Sequence, residues 1–303
     1  MTQANTQAAA TPYESIWTHL STVAFKLGWI DAGGISTRYM QAGDPSKPAL
    51  IMIHGTAGSL EGFCANMGEH SKHFNCFAFD LVGAGYSDKP DRDYEVSFYV
   101  EHVRSFMKAV GVEKASFIGV SLGTWVIAQL ALDHPASVDK LTMNAPFGFA
   151  DDAEEIAGIR TRRGRAFDDP SWDNIKTIFD NLIYSEAKRI PDLIATRRAM
   201  YMQPDAKAAA DHILNLFGPD LLPRNLIPAE QWQKIKAPTM VVLSMKDRPL
   251  FLNTAKALAK LIPGARLLEM DNVGHWPQFE KPEEFNKANI SFLLESPEGK
   301  RVP

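Results

Sequence analysis

Cysteine is nearly missing from this 303-residue chain, which carries only Cys64 and Cys76. Two thiols in a chain of this size are expected to stay free, and that argues against a disulfide-held scaffold. No apolar run approaches the ~20 residues that a membrane-spanning helix needs. The start has no positive stretch followed by an apolar core, so no signal peptide is evident and action in the cytoplasm is expected. A basic surplus is lacking too. With 32 Lys and Arg against 36 Asp and Glu, the formal net charge is −4, and nothing suggests nucleic acid or a membrane as partner. No internal repeat stands out. Gly83-Ala84-Gly85 is too isolated for a dinucleotide loop, and no phosphate-binding loop is present. His70 and His73 lie at helical spacing without a third ligand nearby, so neither a metal nor another cofactor is expected.

What is present centres on Gly119-Val120-Ser121-Leu122-Gly123, set between the apolar run Ala115–Val120 and a helix-like segment. A G-x-S-x-G turn between a strand and a helix lifts the serine hydroxyl out of the top of a sheet. Only small residues fit beside so tight a turn. The pentapeptide alone is a weak signal, and the rest of the chain must supply what a serine nucleophile needs. It needs a base, a third group to hold that base, and donors for an oxyanion.

The base is expected at His275, in the loop Asp271-Asn272-Val273-Gly274-His275 after the strand-like Ala265–Met270. The other histidines read as surface or core residues. The acid is expected at Asp247, just past the buried-strand run Pro238–Ser244. Asp271 competes for that role but lies very near His275 along the chain. The oxyanion donors are expected to be the amides of Leu122 and Thr56, the latter in the small-residue loop His54-Gly55-Thr56-Ala57-Gly58. His54 is expected to brace this loop.

These pieces resemble those of the α/β-hydrolase-fold serine hydrolases. The resemblance rests on His54-Gly55, the segment Asp80–Ser87, the Ser121 elbow, Asp247 and Gly274-His275, in that order over most of the chain. It implies a mostly parallel eight-stranded α/β sheet with a helical cap inserted after the sixth strand. Strands are expected near residues 27–31, 35–41, 49–53, 76–80, 115–120 and 141–144, with two more before Asp247 and His275. The core is expected over 25–146 and 235–303. The stretch 147–234 loses the strand–helix rhythm and carries Arg160, Arg162, Arg163, Arg165, Arg197 and Arg198. It reads as the cap, with helices over 171–184, 191–202 and 205–217. Residues 1–24 read as an extension, mobile over Met1–Thr11, with a capping box at Thr11–Glu14 and a short helix.

The implied reaction is acyl transfer through Ser121, His275 and Asp247, on a small molecule. A small carboxylic ester or lactone is the first reading. The alternative is carbon–carbon bond hydrolysis, because Gly274-His275-Trp276, Glu280 and Phe285-Asn286 resemble the tail of meta-cleavage product hydrolases of aromatic degradation. On that reading Trp276 would lie along a flat dienoate, and Asn66 or Arg197 would bind its polar groups. The chain departs from those enzymes at Val120, where they usually have asparagine, and in its short oxyanion loop. The ester reading is therefore placed first. A third reading is a small-molecule receptor that retains the triad. Assembly into a homo-oligomer is compatible with all three.

Overall fold

A computed structural model of the chain describes residues 14–150 and 152–295. The expectations for Met1–Thr11, and most of the proposed Thr11–Glu14 cap, fall outside them. The first helix, α1 (Ile16–Leu20), is capped instead by Ser15, whose hydroxyl accepts from the Trp17 amide while Thr18 reaches back to the Ser15 amide.

Eight strands form one sheet: β1 (Phe25–Asp31), β2 (Ser36–Ala42), β3 (Ala49–Ile53), β4 (Asn75–Phe79), β5 (Ala115–Val120), β6 (Val138–Asn144), β7 (Thr239–Ser244) and β8 (Arg266–Met270). The sheet order is β1-β2-β4-β3-β5-β6-β7-β8. β2 runs antiparallel to β1 and β4, and every other pairing is parallel. The parallel strands need helical crossovers that bury the sheet, which is why β3, β4, β5 and β7 are near-continuous apolar runs. The edge strands β1 and β8 are largely open to solvent.

The crossovers and flanks supply α2 (Cys64–Ser71), α3 (Val96–Ala109) and α4 (Leu122–Asp133). Between β6 and β7 the regular elements among the described residues are helices: α5 (Ala153–Asp168), α6 (Trp172–Leu182), α7 (Pro191–Tyr201), α8 (Ala206–Asn215), α9 (Leu221–Asn225) and α10 (Ala229–Trp232). The remainder is α11 (Pro249–Leu261), α12 (Pro277–Glu280) and α13 (Pro282–Leu293). Thus the sheet is the mostly parallel one expected, with a helical insertion after its sixth strand. Within the insertion, α5, α9 and α10 are helices that the sequence left unstated. Cys64 and Cys76 are both buried and free. Among the described residues, no helix is long and apolar enough to cross a membrane.

Candidate active site

Ser121 sits between β5 and α4 with φ +53° and ψ −116°, a left-handed backbone that a side chain rarely adopts. Its neighbours explain how it is held there. A Cβ on Gly123 would lie 2.3 Å from the Ile53 carbonyl oxygen, and one on Gly119 would lie 2.7 Å from the Gly123 carbonyl carbon. The turn closes only because both positions lack that atom. The Ser121 amide donates to the Asn144 carbonyl at 3.0 Å. The Thr124 hydroxyl donates to the Ser121 carbonyl at 2.6 Å and accepts from the Phe147 amide at 2.9 Å. Leu122 opens α4, so its amide has no acceptor within the helix.

His275 and Asp247 converge from the ends of β8 and β7. His275 Nδ1 stands 2.9 Å from Asp247 Oδ2 and 3.2 Å from Oδ1. Asp271, the competitor, is exposed in the turn before Gly274. Burial pushes the His275 pKa below the ordinary histidine value, against the pull of Asp247, so the ring is neutral near pH 7. The Phe251 ring packs edge-on against the imidazole at 4.3 Å. The histidine loop is pinned to the helical insertion. The His275 amide donates to the Leu182 carbonyl at 2.9 Å, and the Glu280 carboxylate accepts from Gly274 at 2.7 Å and Ser185 at 2.9 Å.

The loop after β3 packs against the serine, since a Cβ on Gly55 would lie 3.2 Å from Ser121 Cβ. His54 braces it. The Leu81 amide donates to His54 Nε2 at 2.9 Å, which places the proton on Nδ1, and Nδ1 donates to the Gly55 carbonyl at 2.7 Å. Burial lowers the His54 pKa to about 3, which keeps the ring neutral and in this tautomer. The segment after β4 is held in the same way. Asp80 accepts from the Leu60 and Tyr86 amides at 2.8 and 2.9 Å.

Ser121, Thr56, His275, Trp276 and Arg197 line one cavity, together with Ile159, Arg162, Arg163, Ile178, Leu182, Arg248 and Phe251. The space that water could occupy there is about 40 Å³, enough for a few waters only. The insertion therefore leaves only a narrow space over the serine. Ser121 and His275 face this space without a hydrogen bond between them, and such contacts often tighten only when substrate arrives.

Asn66 does not belong to the cavity, and this corrects the sequence expectation. It lies on α2 with its side chain turned toward α12 and α13. There Nδ2 donates to the Gln278 carbonyl at 2.9 Å and to Asn286 Oδ1 at 2.7 Å. Committed to two buried acceptors, it braces the packing behind the site.

Sequence reasoning did not single out Arg163, which lines the cavity, or Tyr201, which holds it from behind. Arg163 is 8 % exposed and Arg197 is 2 % exposed. Neither has an ion-pair partner among the described residues, whereas Arg162 and Arg248 do. Arg163 Nη1 donates to the Tyr201 hydroxyl at 3.2 Å, and that hydroxyl donates to the Ala57 carbonyl at 3.3 Å. Arg197 lies over the Phe179 and Tyr201 rings at 5.5 and 5.7 Å, and its Nε and Nη1 are buried with no hydrogen-bond partner. A desolvated guanidinium with idle donors costs stability unless something anionic comes to it. The run of arginines on α5 was visible in the sequence, but which of them face inward depends on how the helix docks.

Comparison with known proteins adds the following. A family model described as alpha/beta hydrolase fold matches residues 48–282. A 2-hydroxy-6-oxo-6-(2'-aminophenyl)hexa-2,4-dienoic acid hydrolase of Metapseudomonas resinovorans is 26 % identical over 275 residues, which is 90 % of this chain and 92 % of that one. A 2-hydroxymuconate semialdehyde hydrolase of Pseudomonas putida is 27 % identical over 269 residues, 88 % of this chain and 93 % of that one. Among solved structures, the 2-hydroxy-6-oxo-6-phenylhexa-2,4-dienoate hydrolase of Rhodococcus sp. strain RHA1 superposes with a TM-score of 0.79 at 22 % identity, covering 89 % of this chain and 99 % of that one.

Proposed function

The chain belongs to the alpha/beta hydrolase fold family, and from that premise we propose that it hydrolyses a carbon–carbon bond in a 2-hydroxy-6-oxo-dienoate. One observation carries this reading. Two buried guanidiniums without a counter-ion, Arg163 and Arg197, line the cavity that holds Ser121. A neutral ester brings them acceptors but no counter-charge. A dienoate brings a carboxylate at one end and a ketone to be attacked further along. The relatives named above, which act on such acids, support the same choice. The carboxylic ester or lactone reading made first from the sequence becomes the second.

The chemistry follows from the groups present. His275 takes the Ser121 proton as base, with Asp247 holding its tautomer and offsetting the imidazolium charge. The Leu122 and Thr56 amides receive the oxyanion formed when the ketone is attacked. Carbon is a poor leaving group unless its electron pair has somewhere to go. When the dienol proton moves to the carbon beside the ketone, the conjugated 2-oxo acid becomes that destination. The bond next to the ketone then breaks, and its electron pair spreads toward the carboxylate end. Arg163 and Arg197 favour that charge where it develops. Water finally releases the acyl group from Ser121. Trp276, set edge-on to Phe179 at 5.8 Å, offers a flat wall to the conjugated chain.

The test is loss of the dienoate chromophore under wild-type protein and under Ser121→Ala, beside p-nitrophenyl acetate. Serine-dependent loss of the dienoate, faster than ester cleavage, supports the proposal. Rapid ester turnover with an inert dienoate returns the reading to an esterase. Tight dienoate binding without turnover of either compound points to a receptor.

A further inference from the structure

The four cavity arginines fall into two groups. Arg163 and Arg197 meet at Tyr201. Arg162 and Arg248 share a single carboxylate, Glu155, at the start of α5. Arg162 Nη2 is 3.2 Å from Glu155 Oε1, and Arg248 Nη1 pairs with the same oxygen. Successive side chains on a helix point about 100° apart, so the adjacent Arg162 and Arg163 of α5 serve different groups. Against four guanidiniums stand two carboxylates, Glu155 and Asp247. With His275 neutral, two positive charges are left over around a narrow cavity.

Arg248 is poorly placed in this arrangement. Its Nε is buried 3.6 Å from Asp247 Oδ1, too far for a hydrogen bond, and makes none among the described residues. Its Nη2 lies 3.2 Å from His275 Nδ1, the nitrogen that also stands 2.9 Å from Asp247 Oδ2. That nitrogen cannot accept from Arg248 and donate to Asp247 at once. For His275 to act as base through Nε2, Nδ1 must carry the proton, and Arg248 then presents a donor to a donor. An anion inside the cavity would satisfy Arg248 better than its present neighbours do. Glu155 is half-buried and lies outside the cavity lining, so it is a carboxylate that can be displaced outward.

We propose, resting on the reading above, that Arg162 and Arg248 form a second anion subsite and that the substrate is a dicarboxylate. One carboxylate of the dienoate meets Arg163 and Arg197. The other, on the acyl side of the bond to be cleaved, replaces Glu155 between Arg162 and Arg248. With Glu155 displaced, the two carboxylates and Asp247 offset three of the four guanidiniums, and the surplus around the cavity falls from two to one. The exchange also draws Arg248 from His275 Nδ1 and leaves that nitrogen to Asp247.

The experiment is calorimetric titration of Ser121→Ala protein, which binds without turnover. The ligands are a 2-hydroxy-6-oxo-dienedioate and the matching monoacid that ends in a methyl group. The dioate is expected to bind tighter by about tenfold or more, the scale of one charge-assisted contact. Arg162→Gln is expected to shrink that ratio. Glu155→Gln, which keeps the shape and removes the competing charge, is expected to enlarge it. A merely structural Glu155 would weaken both ligands alike, so the direction of the change separates the roles. Equal affinity for the two ligands, or a ratio indifferent to both substitutions, overturns the subsite. The reaction proposed above is judged separately, by whether wild-type protein cleaves either compound.

Discussion

Asp247 Oδ2 stands 2.9 Å from His275 Nδ1, whereas Asp271, only four positions before that histidine, is turned out to solvent. Distance along the chain is a poor guide here, because Asp247 arrives from the end of a neighbouring parallel strand. Ser121→Ala is expected to remove turnover by several orders of magnitude, and Asp247→Asn by roughly 10⁴-fold through loss of the required tautomer. Asp271→Asn should change kcat by less than about threefold, as surface substitutions do. Steady-state kinetics on the three variants decides it, and a worse lesion at Asp271 would reject the assignment.

Arg197 supplies the second prediction. Arg197→Gln removes a buried charge-assisted contact of about 1.5–3 kcal/mol, so dienoate kcat/KM should fall roughly 10- to 100-fold relative to ester kcat/KM. Arg197→Lys keeps the charge but loses the two-pronged geometry, and should fall between. If both substrates suffer equally, Arg197 holds the fold and not the substrate.

The third concerns pH. His275 is pushed below the ordinary histidine pKa by burial, so the acid limb of the kcat/KM profile should lie below pH ~6.5. Stability carries the same sign. His54 binds its proton at about 3 when folded but near ~6.5 when unfolded. Its contribution is complete above ~6.5 and is lost as pH falls toward the folded value. Urea midpoints measured from pH 7.5 down to 4.5 should therefore decrease. A kinetic limb above 6.5 would contradict a neutral, desolvated base.

The fourth is steric. An alanine at Gly123 places a Cβ 2.3 Å from a backbone oxygen of Ile53, and backbone cannot step aside as a side chain can. Gly123→Ala should cost at least ~3 kcal/mol or yield no soluble protein, which thermal denaturation reads directly. Gly34→Ala, with nothing within 4 Å of its added Cβ, is the control for space, although φ +88° there will exact a smaller backbone cost.

Much of the site was legible because it obeys short-range rules. The elbow must be flanked by small residues, and the acid and base must follow strand ends, so Ser121, Asp247 and His275 announced themselves. Arg197 and Trp276, offered as substrate contacts, line the cavity. What failed depended on facing. Asn66 lies soon after the oxyanion loop in sequence, but α2 directs it toward α13. α5 gave little helical signal because Arg163 interrupts the apolar positions Ile156, Ala166 and Phe167 on its buried side. The order of the two proposed reactions changed for a related cause. Departures near the serine, at Val120 and in the short loop, weighed more than arginines whose inward direction the sequence does not disclose.

The helical insertion between β6 and β7 divides the reactive groups in the order of synthesis. Ser121 and its loop leave the ribosome first, followed by the whole lid, and only then by the strands that carry Asp247 and His275. A nascent or truncated chain ending anywhere before β8 holds a serine with no base to activate it. On the proposed assignment, no prefix of the chain that lacks the insertion carries both Ser121 and His275.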